Sequence, residues 1–168
     1  MLIRQRSVYA RLSGWGLCVL WLCVAWPAAT TAADATTLLG IEGFRVEVGT
    51  LSRAARDMGI EESRLLAHAR ERLQRAALAV GDFPTILLMS LRVVEHPTTV
   101  VAYCLEVQVH QVVQLTRTQQ MHMLAPTWAH GVLTMVARTS FVSSVEDALL
   151  SLLDQLVRDY RLVNAEQR

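Results

Sequence analysis

The chain has 168 residues, with sixteen basic residues, all arginine, against fifteen acidic ones, for a formal net charge of +1. That length makes one domain with a sizeable core, and the near-balanced charge excludes a nucleic-acid binder, which needs a basic stripe. Of three cysteines, two (Cys18 and Cys23) lie in the first thirty residues and only Cys104 lies beyond them.

Arg4, Arg6 and Arg11 open the chain without an acidic residue, and Trp15 to Trp26 follows without any charge. Pro27 ends any helix there, and small residues run from Ala28 to Ala35. Basic, apolar, small is the order of a secretory signal. The reading is a Sec-type signal over 1–33, cleaved near Ala33 or Ala35, with a periplasmic or secreted product. The competing reading is an uncleaved anchor over Leu12 to Ala33, although its second half is only weakly apolar. A lipid-attachment cysteine needs a small residue before it, whereas Cys18 follows Leu17 and Cys23 follows Leu22. Cleavage removes three arginines, leaving thirteen basic against fifteen acidic residues, a net of −2. It also leaves one thiol, so no intramolecular disulfide, and no membrane span in the mature chain.

Residues 34–40 read as a short lead-in to a single domain over 41–164. Gly43 to Gly49 alternates, with Phe44, Val46 and Val48 on one face, and predicts a strand. A turn over Ser52 to Gly59 leads into a helix from Ile60 to Ala79, whose apolar face carries Leu65, Leu66, Ala69, Leu73, Ala76 and Ala77. Arg64, His68 and Arg72 fall on the face expected to be solvated. Thr85 to Glu95 is a second strand, apolar on both faces for part of its length, which predicts a central position. After a turn at His96 to Thr99, Val100 to Arg117 alternates as a third strand. Its apolar face runs through Val101, Tyr103, Leu105, Val107 and Val109. Thr118 to Gln120 turns the chain, and Met121 to Arg138 returns as a fourth strand. Pro126 there requires an edge or a bulge. Ser143 to Glu146 has the pattern of a capping box before a last helix to Val163, with Asn164 as its stop and 165–168 as a tail. Asp154 and Arg158 are spaced to pair on its outer face.

The order β-α-β-β-β-α gives an α+β fold. Its simplest form is a two-layer sandwich, a four-stranded, mostly antiparallel sheet with two helices on one face.

The polar residues of the long hairpin are the candidate functional surface. A turn centred on Gln119 sets His110 opposite Trp128 and Gln108 opposite His130, with Glu106 and Cys104 further along the same face. Glu106, Gln108, His110, Trp128 and His130 are therefore the candidate partner surface. The alternative is a copper or zinc site drawn from Cys104, His110, His122, His130, Met121 and Met123. In a strand, Met121 and Met123 face away from His122, so core methionines are the expected outcome there. No Gly-x-Ser-x-Gly elbow, His-Glu-x-x-His helix or glycine-rich phosphate loop occurs, so no catalytic residue and no cofactor are assigned.

The layout behind an export signal resembles small envelope domains of Gram-negative bacteria, namely the periplasmic auxiliary components of ABC-type lipid transport systems and the lipopolysaccharide-assembly lipoprotein. The local echoes are Tyr103-Cys-Leu-Glu-Val-Gln-Val, Trp128 on the next strand, and Val145-Glu-Asp-Ala-Leu opening the last helix. Those families are usually lipidated, and this chain departs from them in its cysteine context. The resemblance implies an exported, non-catalytic accessory protein with an envelope protein or lipid partner.

Overall fold

The computed structural model describes residues 35–95, 99–115, 117 and 121–165. The proposed signal at 1–33 lies outside the described residues, as do most of the turns expected near 96–99 and 118–120.

The chain folds as an α+β, two-layer structure. Strand β1 (Gly43–Val48) is followed by helices α1 (Arg53–Asp57) and α2 (Glu62–Arg75) and by a two-residue strand, β2 (Ala79–Val80). Strands β3 (Ile86–Glu95), β4 (Val100–Gln114) and β5 (His122–Ala137) form a meander, and helix α3 (Phe141–Asn164) closes the fold. The sheet has five strands in the order β2-β1-β3-β4-β5. The β2–β1 and β1–β3 pairs are parallel, and β3–β4 and β4–β5 are antiparallel. The fifth strand, β2, comes from residues that the sequence reading placed at the end of the first helix. As expected from its two apolar faces, β3 is the central strand.

That first helix stops early because of its C-terminal geometry. Ala77 adopts φ 62°, its N–H donates to the Gln74 carbonyl, and the Leu78 N–H donates to Leu73. This is the Schellman arrangement, with alanine in the left-handed position that usually holds glycine. Both Leu73 and Leu78 are buried, so the apolar contact across the cap offsets the backbone cost. At the other end the expected turn at Ser52 to Gly59 contains the short helix α1, because the Ser52 hydroxyl accepts from the Ala55 N–H at 3.2 Å.

Helices α2 and α3 lie side by side on one sheet face. Arg64 pairs with Glu146 at 2.7 Å and Arg72 pairs with Asp154, two contacts with the same sequence separation of 82, as parallel helices require. The flank of α2 expected to be solvated is therefore in part an interhelical seam, with His68 between those two ion pairs. Asp154 pairs with Arg72, and Arg158 donates to Gln155 instead of to Asp154. The capping box also fails to form. The helix starts at Phe141, two residues before Ser143, and Glu146 is drawn to Arg64. Phe141 sets that start by burying its ring edge-on against Tyr103, centroids 5.7 Å apart.

Between helices and sheet lies one core, from Phe44, Val46, Leu87, Met89, Tyr103, Leu105, Val107 and Trp128 below to Leu65, Leu73, Val145, Leu149 and Leu153 above. The lead-in contributes to it: residues Ala35–Leu38 form a 3-10 turn that buries Leu38. Asn164 ends α3 and ties this turn down, donating to the Leu38 carbonyl at 3.1 Å and accepting from the Gly40 N–H at 3.0 Å. No described helix is long and apolar enough to cross a membrane.

Candidate binding surface on the uncovered sheet face

β4 sorts its side chains by strict alternation. Val101, Tyr103, Leu105, Val107 and Val109 are buried under the helices, while Ala102, Cys104, Glu106, Gln108 and His110 are half-buried on the other face. Among the described residues nothing covers that second face. Its polar side chains touch one another in sequence. The His110 ring Nε2 lies 2.9 Å from Gln108 Oε1, the Gln108 amide donates to Glu106 Oε2 at 3.4 Å, and the Cys104 thiol lies 4.0 Å from Glu106 Oε1.

The neighbouring strands frame this ladder. On β3, Arg92 stands opposite Cys104 and Ser90 opposite Glu106. On β5, Gly131 stands opposite Glu106, and a Cβ at this position would come within 3.0 Å of Glu106 Cγ and 3.1 Å of the Leu105 carbonyl. The bare glycine thus leaves room for the Glu106 side chain to lie over β5. Burial pushes the Cys104 thiol above its ordinary pKa, Glu106 pushes it further up, and Arg92 pulls it back. At neutral pH Cys104 is therefore a protonated, weakly nucleophilic thiol.

At one end of the ladder the face becomes apolar. Val94, Leu133 and Met135 are 68%, 77% and 69% exposed, and Leu133 stands opposite Cys104, with Met135 opposite Ala102. Sequence reasoning passed over Leu133 and Met135. The available signal was the uncharged run from Gly131 to Ala137 in a strand already marked as an edge by Pro126.

The hairpin register differs from the expected one, and this separates the proposed partner residues. Near the tip Val112 stands opposite Leu124 and Gln114 opposite His122, an offset of two that preserves the faces. A bulge between Val109 and His110 then takes up Thr127, leaving an offset of one, and one residue of slip exchanges the faces. Trp128 consequently pairs with Val109, and His130 with Val107, on the helix side of the sheet. Glu106, Gln108 and His110 remain together on the open face, without Trp128 or His130.

Trp128 and His130 have internal partners instead. The Trp128 indole is 1% exposed and donates to Asp159 Oδ2 on α3 at 3.0 Å. Gln155 donates to the other carboxylate oxygen at 2.7 Å. The His130 ring lies against the indole, centroids 4.7 Å apart, with Nε2 3.9 Å from Asp159 Oδ2. This is a packed contact between sheet and helix.

The six residues of the metal alternative are likewise dispersed. Cys104 and His110 share a face but stand six positions apart, about 20 Å at the rise of a strand. His130 is on the opposite face, and His122 lies out on the hairpin with Met121 and Met123. Those methionines are 57% and 47% exposed, so they are not core residues. They lie beyond the end of the helical layer, where alternation no longer implies burial. No group of three or more His, Cys, Asp or Glu side chains converges among the described residues.

Among the described clefts, the one beside α1 carries Arg56, Glu61 and Glu62. The one between the lead-in and the start of β3, about 440 Å³, is lined by Leu39, Glu42, Phe83, Thr85 and Gln111 among others, with Glu42 as its one ionisable side chain.

No protein-family model matches the chain, and no curated protein matches it. Among solved structures, a minor lipoprotein from Acinetobacter baumannii superposes with a TM-score of 0.39 and 11% identity, over 75% of this chain and 92% of that one. A "putative lipoprotein" from Caulobacter crescentus CB15 does so with a TM-score of 0.39 and 12% identity, over 82% and 98%. At that level of superposition these likenesses carry no argument about family or function.

Proposed function

We propose that this chain is an exported, non-catalytic accessory module of the bacterial envelope that binds a protein partner on its open sheet face. The observation that carries this reading is the uncovered ladder Cys104–Glu106–Gln108–His110, polar at its centre and bordered by exposed Val94, Leu133 and Met135. A self-satisfied polar centre flanked at one end by exposed apolar side chains offers a protein partner both hydrogen-bonding groups and apolar contact area. A lipid surface is less well matched. Charges on this face are balanced, with Arg45 held by Glu47 at 2.9 Å and Arg92 beside Cys104 and close to Glu106, so no basic cluster awaits anionic headgroups. Export rests on the basic, apolar and small segments of the first 33 residues.

Fractionation with N-terminal sequencing tests the export half of this reading. The expected product begins just after Ala33 or Ala35 and partitions with the envelope. A cytosolic product that retains Met1 contradicts it.

A further inference from the structure

The outer edge of β5 has features that bear on self-association. β5 is the terminal strand of the sheet, sixteen residues long, and among the described residues no strand lies on its outer side. The lead-in touches that edge at Thr127, whose carbonyl accepts from the Thr37 hydroxyl at 2.9 Å, leaving Ala129 to Ala137 beyond it. Edge strands usually carry lysine, arginine or acidic residues against unwanted pairing. β5 has no Asp, Glu, Lys or Arg from His122 to Ala137, and its one proline and its bulge lie before Trp128. Bare main-chain donors and acceptors at such an edge call for an extended strand as their partner.

The composition of the edge also points to which strand. A two-fold pairing sets each residue opposite its mirror position, so any formal charge near the axis meets its like. Here there is none. Centred on Thr134, an antiparallel pair sets Leu133 against Met135 of the other copy, and Met135 against its Leu133, on the open face. On the helix face it sets Val132 against Val136. Apolar cover is present on that side as well. Val132 and Val136 are partly buried, and Ala148 and Leu152 lie on the flank of α3 that reaches β5 through Asp159. The other sheet edge offers nothing comparable, since β2 is two residues long and leads directly to Gly81 and Asp82.

We propose that β5 pairs antiparallel with β5 of a second copy of this chain, about a two-fold axis at Thr134, joining two five-stranded sheets into one. The pairing shares Leu133 and Met135 with the border of the surface proposed for a protein partner, whose polar centre at Glu106, Gln108 and His110 it leaves uncovered.

Sedimentation equilibrium on protein purified from cells expressing the full chain tests the pairing. The expected mass is twice that of one chain in the micromolar range. Leu133→Lys combined with Met135→Lys sets like charges across the axis, and the mass halves while the far-ultraviolet circular dichroism is unchanged. Leu133→Lys combined with Met135→Glu sets opposite charges across the same axis, and the doubled mass returns. A register check that needs no folding comparison uses Thr134→Cys in a Cys104→Ser background. Mild oxidation should link most chains in pairs, and Met123→Cys in the same background should not. A wild-type monomer throughout that range overturns the proposal. So does a dimer that survives the double lysine variant, is not restored by the lysine–glutamate variant, or fails to cross-link through position 134.

Discussion

The Trp128 indole N–H is joined to the Asp159 carboxylate at 3.0 Å, and this bond fixes how α3 sits over the outer strands of the sheet. The carboxylate is held on its other oxygen by Gln155. Asp159→Ala leaves a buried indole donor without a partner, at a cost of about 2 kcal/mol in unfolding free energy. Asp159→Asn, which retains an acceptor, should cost roughly half as much. Three of the four tryptophans lie in the first 26 residues, so in the processed chain Trp128 alone reports in fluorescence-monitored urea unfolding. A loss below about 0.5 kcal/mol for Asp159→Ala would show that the bond does not hold this junction together.

Ala77 is in the left-handed region at the end of α2. A side chain there costs about 1 kcal/mol relative to glycine, while the Leu73–Leu78 contact keeps the turn in place. Ala77→Gly should therefore stabilise the protein by about 1 kcal/mol and raise Tm by roughly 3 °C in a chain of this size. A lower Tm would mean that the flexibility added to the unfolded chain outweighs the relief of strain.

Cys104 reports on the electrostatics of the open face. Burial and Glu106 raise its pKa and Arg92 lowers it, so the thiolate fraction at pH 8 is below that of a free thiol. Glu106→Gln removes one of the raising influences. Alkylation by iodoacetamide should speed up several-fold at pH 8, and its pH profile should move to lower pH. Arg92→Gln should move the profile the other way. If neither variant shifts the profile, the side-chain ladder is not as close-set in solution.

Strands β1, β3, β4 and β5, helices α2 and α3 and the buried face were legible in the sequence because burial imposes a period, whereas α1 and β2 are too short to show one. Val101 to Val109 on β4 and Phe44 to Val48 on β1 alternate without exception, and the structure buries the face they mark, with Val48 at its end only partly covered. The hairpin register was not legible, because it depends on one bulged residue, Thr127, and nothing in the alternation distinguishes a bulge from continuous pairing. Pro126 signalled an edge or a bulge and the structure has both there, but a single proline does not say which way the strands slip. The seam of Arg64 and Arg72 with Glu146 and Asp154 was hidden for a related reason. Charged positions on a helix read as solvated until the neighbouring helix is known. The missing lysine or glutamate along β5 is the reverse case, visible in the sequence but without meaning until the strand order sets β5 at an edge.

A photo-reactive amino acid at Gln108 in intact cells shows whether the middle of the open sheet face is the working surface. Gln108 lies in the polar ladder, on the strand next to the β5 edge, and Arg70, exposed on α2, is the control on the opposite side of the molecule. A discrete adduct is expected at Gln108, its added mass that of a different protein, and none at Arg70. No adduct at Gln108, an added mass equal to a second copy of this chain, or equal labelling at both positions would contradict it.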